Sequence, residues 1–478
     1  MEWLAAHDYG MAREILQRGV ALIYLVAFIS TLNQFRALVG ERGLLPVPRL
    51  LVGPGAHGPS LFSRIGYSDR KLVAVCAAGI AISSVLVAGL PQAGPPWLPL
   101  AGFLVLWGLY MSIVNVGQVF YGFGWEMLLL EAGFTVGLLG SRQVPPPQTI
   151  LLLVAWLVFR LEFGAGMIKW RGDPAWRNLT AMYYHHQTQP MPGPFSRRAH
   201  LAPRWWHRCE AVGNHTAQLA IPFLLFAPQP IASIAAAIVI ATQSWLVATG
   251  NFAWLNWLTI VLAFCRISDP VLRRLIPWLP PETGPRVEAP IWWTAVVLAG
   301  TLLLAGLSIP ALRNLSSSRQ RMNASFNRWQ LGNAYGAFGT VTRQRIEVVI
   351  EGTEANSPED ATWLEYGFKG KPGDVSRRPR QFAPYHLRLD WMMWFLPLDS
   401  VHQRWFYELL ARLLEADART LALLRHDPFS GRPPQFIRVL TYRYRFATAA
   451  QHRDTGAHWV RDQRQLVIGP VARPNAAG

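Results

Sequence analysis

Apolar stretches long enough to cross a membrane recur through the first two thirds of the chain. A helix needs about 20 apolar residues to span the roughly 30 Å hydrocarbon core of a bilayer. The sequence therefore predicts a helical membrane bundle of six to nine helices. The six strong stretches are residues 19–32, 72–90, 97–120, 150–168, 231–249 and 291–309, and the three weaker ones are residues 127–139, 212–226 and 254–267.

The hydrophobic pattern changes near residue 313. Residues 364–368 and 436–446 alternate apolar with polar side chains, as does 385–390, which is typical of strands with one buried face. Residues 404–424 instead place leucines at helical spacing. We therefore expect a membrane domain over residues 1–312, followed over residues 313–478 by a soluble α+β domain with an antiparallel sheet.

The net charge of +17 favours a lipid partner over nucleic acid. Residues 1–312 and 313–478 carry similar shares of the excess, so the charge forms no dedicated basic patch, and no stacking-aromatic or zinc motif accompanies it. Arginine near membrane spans is typical of anchoring to anionic head groups. The three cysteines include no Cys-x-x-Cys pair and predict no disulfide framework.

Polar side chains within the predicted spans are costly in lipid and usually face the bundle interior. Glu162 and Lys169 are seven residues apart, so they share one helix face, with Gly166 between them. Two interpretations stay open: the groups pair with one another as architecture, or they line a cavity in which Lys169 acts as a base or binds an anion. The other members of this polar seam are Asn115, Gln118, Glu126, Glu131, Glu210, Asn214 and Gln218.

The loop over residues 172–198 is rich in aromatic residues and proline, which is typical of an interfacial segment. His185 and His186 are adjacent and would point about 100° apart on a helix. The loop has no His-x-x-x-His or His-x-x-Glu spacing. We therefore expect no metal and no cofactor.

Residues 391–396 form an apolar run too short to span a bilayer and too apolar to be left in water. The run either docks on the membrane half or forms a client-binding surface, through Trp391, Met392, Trp394 and Phe395. Just before it, the alternation of 385–390 predicts that His386, Arg388 and Asp390 share one strand face as a surface ion cluster. The chain has no Gly-x-Ser-x-Gly elbow, so it does not look like a lipase.

Several long segments resemble the lipase maturation factor family. Those similar to its membrane region include VGQVFYGFGWEMLLLEAGF, FRLEFGAGMIKWRGDPAWRNLTAMYYHHQTQPMPGP and TGNFAWLNWLTIVLAF, and those similar to its C-terminal domain include NAYGAFGTVTRQRIEVVIEGT and LLRHDPFSGRPPQFIRVLTYRYRF. The resemblance implies a chaperone-like factor, not an enzyme, that helps a secreted lipase or related client to fold. It also implies an endoplasmic reticulum or bacterial inner membrane, with the soluble domain on the non-cytoplasmic side.

A shorter match links the membrane half to vitamin K-dependent gamma-carboxylase. It consists of a Gly-x-x-Lys pattern, here Gly166 and Lys169, followed by Asp173 and Trp176. The resemblance implies an alternative function as a membrane enzyme with Lys169 as its base and Glu162 nearby. A ligand-sized cavity beside Lys169 would favour the enzyme, and an exposed apolar surface on residues 313–478 would favour the folding factor.

Overall fold

The computed structural model describes residues 4–53, 58–275, 277 and 288–473. Its first part consists of helices joined by short loops. They are α1 (Gly10–Leu38), α2 (Val47–Val52), α3 (Leu61–Ile65), α4 (Asp69–Ala88), α5 (Leu90–Ala93), α6 (Trp97–Val114), α7 (Gly124–Gly137), α8 (Gln148–Arg171), α9 (Pro174–Arg177), α10 (Met182–Thr188), α11 (Ser196–His200), α12 (Arg204–His215), α13 (Ile221–Leu224), α14 (Ile231–Thr249), α15 (Leu255–Ala263), α16 (Asp269–Leu275) and α17 (Ile291–Ser316).

The predicted membrane bundle is confirmed. Within the described residues, six helices are long and apolar enough to cross a membrane, namely α1, α4, α6, α8, α14 and α17. A seventh candidate is the pair Leu255–Arg266 and Asp269–Leu275, which is bent by 120°. The weaker predicted stretch 212–226 is divided among α12, a π-helical turn at Thr216–Ala220 and α13.

Helix ends in the bundle follow ordinary capping chemistry. The Ser68 side chain accepts a hydrogen bond from the Lys71 amide at the start of α4, and Asp69 lies in the first turn, where a negative charge is favourable. The same helix ends at Gly89, whose φ of 82° is left-handed and suits glycine. Central α1 packs against α4, α7 and α15 and buries Leu16, Val20 and other apolar side chains.

The predicted α+β domain is also confirmed. It contains α18 (Arg388–Phe395), α19 (Arg404–Leu414), α20 (Ala418–Leu421) and α21 (Ala449–Thr455), with strands β1 (Arg345–Thr353), β2 (Leu364–Glu365), β3 (Phe436–Phe446) and β4 (Trp459–Ala472). The strands form an antiparallel sheet in the order β2-β1-β3-β4. The predicted strand 436–446 coincides with β3, whereas only two residues of 364–368 pair as β2.

Three local predictions for this domain are wrong. Residues 385–390 do not form a strand, because Arg388 and Asp390 belong to α18, and the surface ion cluster does not exist because His386, Arg388 and Asp390 are all buried. The predicted helix 404–424 is interrupted, since Ala416 has a left-handed φ of 51° and α20 restarts after the Asp417 cap.

The C-terminal domain is seated on the membrane half through buried charge. The Arg345 guanidinium donates to the carbonyl oxygens of Gln187 at 3.0 Å and Pro190 at 2.9 Å, and it also contacts the Gln189 carbonyl. On its own strand Arg345 pairs with Glu347 at 2.6 Å. This contact holds the proline-rich loop of the membrane half against β1.

Candidate functional site

A cavity of about 1040 Å³ lies between the membrane half and the C-terminal domain. Its walls come from α8, α12, α14 and α15, from α18, and from the segment 335–340. Most of the lining is apolar or aromatic, with a few polar groups, which is the usual composition of a ligand pocket. Lys169 and Glu162, which their seven-residue spacing places on one face of α8, both line it.

Two glycines, Gly164 in α8 and Gly172 directly after it, let the segment 335–340 approach the helix closely. A Cβ on Gly164 would lie 2.5 Å from the Tyr335 carbonyl oxygen, and one on Gly172 would lie 2.3 Å from the Gly339 carbonyl oxygen. Only glycine leaves space for a backbone at that distance. The segment 335–340 therefore packs directly on α8 and becomes part of the cavity wall.

Lys169 is buried and is held by neutral groups. Its Nζ donates to Asn214 Oδ1 at 3.1 Å and Gln218 Oε1 at 2.9 Å, and it lies 4.8 Å from the centroid of the Trp176 ring. None of the partners described for Nζ is a carboxylate within ion-pair distance. The amino group is thus fixed by neutral hydrogen-bond acceptors, which suits a group that meets an anionic ligand.

Glu162 heads a second polar chain in the same cavity, and Gln218 contacts both Glu162 and Lys169. Gln243 Nε2 donates to Glu162 Oε1 at 2.5 Å, and Asn256 Nδ2 donates to Gln243 Oε1 at 2.5 Å. Both amide side chains are buried. Sequence analysis missed Gln243 and Asn256, because single amides in apolar stretches carry no motif and reach Glu162 only through the packing of α14 and α15 against α8.

The aromatic run of α18 forms the cavity wall opposite the membrane helices. Trp391 is 3% exposed and its ring centroid lies 4.8 Å from that of Trp125 in α7. Trp394 Nε1 donates to the Thr188 carbonyl at 2.9 Å, while Phe395 remains 38% exposed. The run therefore contacts the membrane half and lines the cavity at once, with Met392 also in the lining.

Arg388 inserts into the membrane half beside this wall. Its Nη1 donates to Glu126 Oε1 at 2.7 Å and to the Phe120 carbonyl at 2.8 Å, and its guanidinium carbon lies 3.5 Å from the Tyr121 ring centroid.

Burial and the neighbouring Arg388 charge lower the pKa of His386 to about 3, so that imidazole is neutral at physiological pH. Asp390 accepts from the amides of residues 370 and 371 and orders that turn.

The predicted polar seam is not one continuous feature. Glu131 pairs with Arg160 and accepts from Asn333 N at 3.1 Å and Tyr335 Oη at 2.8 Å, so it docks the C-terminal half. Asn115 and Gln118 instead donate to loop carbonyls, at 2.8 Å and 2.7 Å. Only Glu162, Lys169, Glu210, Asn214 and Gln218 of the predicted seam line the cavity.

Glu210 faces a histidine pair rather than Lys169. His186 Nε2 lies 3.0 Å from Glu210 Oε1, and His207 Nδ1 lies 3.7 Å from Glu210 Oε2. His186 Nε2 is within hydrogen-bond distance of both Glu210 oxygens, whereas His207 Nδ1 is not. His207 and Glu210 do have His-x-x-Glu spacing. The sequence prediction missed it because the pair lies on α12, outside the loop over residues 172–198.

Comparison with known proteins finds similarity along almost the whole chain. Residues 11–274 match the family model described as lipase maturation factor transmembrane domain, and residues 331–469 match the one described as lipase maturation factor C-terminal domain. The chain is 38% identical to lipase maturation factor 1 of Bos taurus over 99% of this chain and 91% of that protein. It is 39% identical to lipase maturation factor 1 of Mus musculus, covering 98% and 87% of the two chains.

More distant relatives are named lipase maturation factor 2. The chain is 28% identical to lipase maturation factor 2 of Homo sapiens, over 94% of this chain and 81% of that protein. No solved structure matches. Together with the six apolar helices, these matches identify an integral membrane protein.

Proposed function

The chain belongs to the lipase maturation factor family, and we propose on this premise that it is a membrane-embedded factor that brings secreted lipases or related exported proteins to their active fold. The observation that carries the proposal is similarity over 99% of the chain to a protein named for lipase maturation. Because both halves match, the proposal assigns the function to the two halves acting together.

The C-terminal domain supplies an apolar surface that suits an unfolded client. Phe395 and Leu398, 38% and 45% exposed, lie at the edge of the cavity next to the partly buried Met392 and Trp394. Exposed apolar patches of this kind are typical of protein-binding sites. Since His386, Arg388, Asp390 and Trp391 are buried, we confine the proposed client surface to Met392, Trp394, Phe395 and Leu398.

Client activity tests this proposal. In cells lacking the chain, a co-expressed secreted lipase is expected to lose most of its activity per unit of lipase protein, because it is exported misfolded or retained. Expression of the wild-type chain should restore that activity. Phe395→Ser should restore much less, whereas the control Tyr407→Ser, on an equally exposed aromatic of α19, should act like wild type. A secreted phosphatase measured in the same cells should not change.

Two outcomes would contradict the proposal. Lipase specific activity that is unaffected by removing the chain would exclude a maturation role for that client. An equal loss of lipase and phosphatase activity would indicate a general export defect instead.

We propose that residues 313–478 lie on the non-cytoplasmic side, in the endoplasmic reticulum or a bacterial inner membrane. An exported client can contact the domain only there. Protease added to sealed vesicles with the cytoplasmic face outward should leave the domain intact, and detergent should expose it. Digestion before detergent is added would overturn this placement.

The cavity favours a second candidate function, that of a membrane enzyme with Lys169 as base or anion-binding group. This alternative rests on a ligand-sized space that contains both Lys169 and Glu162. Covalent modification would change the mass of the client, whereas folding assistance would not. Intact-mass measurement of the lipase made with and without the chain therefore separates the two functions in the same cells.

A further inference from the structure

His186, His207 and Glu210 bring three metal-binding atoms together on two helices. His207 and Glu210 are one turn apart on α12, so they share a face, and His186 approaches from α10. The three candidate ligand atoms all lie within 4.8 Å of one another. Both histidines are buried, and the Glu210 side chain is 9% exposed.

The orientation of His207 leaves a lone pair facing a carboxylate. His207 Nε2 lies 3.2 Å from the His200 carbonyl oxygen, which only accepts, so Nε2 carries the hydrogen. In the neutral ring Nδ1 then has a bare lone pair, and it lies 3.7 Å from Glu210 Oε2. This nitrogen has no hydrogen-bond partner. In that state two acceptors face each other, and either a second ring proton or a metal cation between them removes the repulsion.

The distances fit a transition-metal ion. Zinc binds histidine nitrogen at about 2.0–2.1 Å and carboxylate oxygen at about 2.0–2.2 Å, which places tetrahedral ligand atoms roughly 3.3 Å apart. From the single oxygen Glu210 Oε2 the separations are 3.1 Å to His186 Nε2 and 3.7 Å to His207 Nδ1. The three ligand atoms lie within 4.8 Å of one another, so the two imidazoles must move closer together when they bind one ion. Two histidines and one glutamate are also a known ligand set of zinc sites that keep one coordination position open.

Neighbouring groups hold the ligands in position. The His200 carbonyl fixes the tautomer of His207, and Trp245 Nε1 donates to Glu210 Oε1 at 2.6 Å. Such outer contacts are typical of metal sites because they orient the rings and carboxylates that bind the ion. Glu210 also lines the cavity shared with Lys169, so the three-residue cluster adjoins that space.

We propose that His186, His207 and Glu210 form a three-ligand Zn²⁺ site beside the cavity, with one coordination position open. The site goes beyond the maturation function and does not depend on it. A carboxylate or phosphate oxygen of a cavity ligand would complete the coordination.

Zinc titration of the full-length chain tests the proposal. The chain is purified in detergent, treated with a chelator and titrated with Zn²⁺ alone by calorimetry. Wild type is expected to bind one ion per chain. Glu210→Gln and His207→Gln should each weaken binding by on the order of 100-fold, since even outer-shell partners of a metal are worth 10–100-fold. The control His452→Gln alters a second histidine pair, with His458 at 4.6 Å between ring centroids, and should bind like wild type.

Binding that is equally tight in wild type, Glu210→Gln and His207→Gln would overturn the site. If those variants misfold, a measurement on the wild-type chain alone still tests the site. X-ray absorption of the zinc-loaded chain should show two imidazole nitrogens and carboxylate oxygen around the ion. A sulfur ligand, for which the exposed neighbour Cys209 is the nearest source, or the absence of imidazole scattering would equally overturn it.

Discussion

Arg388→Met is expected to destabilise the fold by about 3–5 kcal/mol, since removing one partner leaves the other as an uncompensated buried charge. That partner is Glu126, fully buried in α7, which Arg388 contacts at 2.7 Å from the C-terminal domain. Tyr110 also donates to Glu126 but carries no positive charge, and His386, whose Nδ1 lies 3.6 Å from Glu126 Oε1, is neutral in the wild-type chain. The loss should affect both halves, because the pair joins them.

Thermal unfolding of the purified chain in detergent, followed together with the yield of monodisperse protein, measures this effect. The control Arg412→Met breaks the exposed Arg412–Glu415 pair of α19, in which Glu415 is 57% exposed, and should cost no more than about 1 kcal/mol. The double variant Arg388→Met with Glu126→Gln should recover much of the loss, because no charge remains buried. An Arg388→Met chain as stable as the Arg412→Met control would show that the pair does not hold the halves together.

The membrane spans could be predicted because a single physical requirement, enough apolar residues to cross a bilayer, determines them. Strand β3 was predictable for a related reason, since its buried and part-exposed residues alternate over Phe436–Phe446. Strand β1 lacks this signature. Its residues are buried on both faces, and Val348, Val349 and Ile350 run consecutively, so period-two analysis does not detect it.

The misassigned segment 385–390 shows where local pattern fails. Its alternation is real, but burial against the membrane half determines the backbone there. Ser30 and Gln34 of α1 both donate to the His386 carbonyl, at 3.1 Å and 2.7 Å, and Gln34 accepts from the Arg388 amide at 3.0 Å. Those partners are more than 350 residues away in sequence. No local window contains them.

The candidate site was predictable only within single helices. Seven-residue spacing placed Glu162 and Lys169 on one face, and the predicted polar seam included Asn214 and Gln218, which the structure shows as the two hydrogen-bond partners of Lys169. For Trp394 the sequence left docking on the membrane half and client binding open, and its place in the cavity wall could not be predicted. It enters the cavity wall from a different domain, and periodicity carries no information about that contact.

Lys169→Met is expected to reduce client activation by between about ten- and a hundredfold, because a hydrogen bond to a charged group contributes roughly 1.5–3 kcal/mol. The prediction rests on the proposed function. Methionine preserves the length and the apolar stem of the side chain but removes the only ammonium among the described residues that line the cavity. Asn214 Nδ2 already lies 3.3 Å from Gln218 Oε1, so the two amides can satisfy each other once Nζ is gone. Folding should therefore survive.

The lipase activation assay, normalised to the amount of chain in the membrane, measures this effect. Lys369→Met is the matched control, since Lys369 lies in the C-terminal domain, donates to the Ala422 carbonyl and does not line the cavity. Lys169→Arg keeps the positive charge. If residue 169 binds an anion, Lys169→Arg should retain more activity than Lys169→Met. If it acts as a base, the two variants should be equally impaired, because arginine does not give up its proton. Full activity in Lys169→Met would assign Lys169 to architecture, while the maturation function would stand on the remaining surfaces. Loss of the folded chain in Lys169→Met, with activity per folded molecule unchanged, would lead to the same assignment.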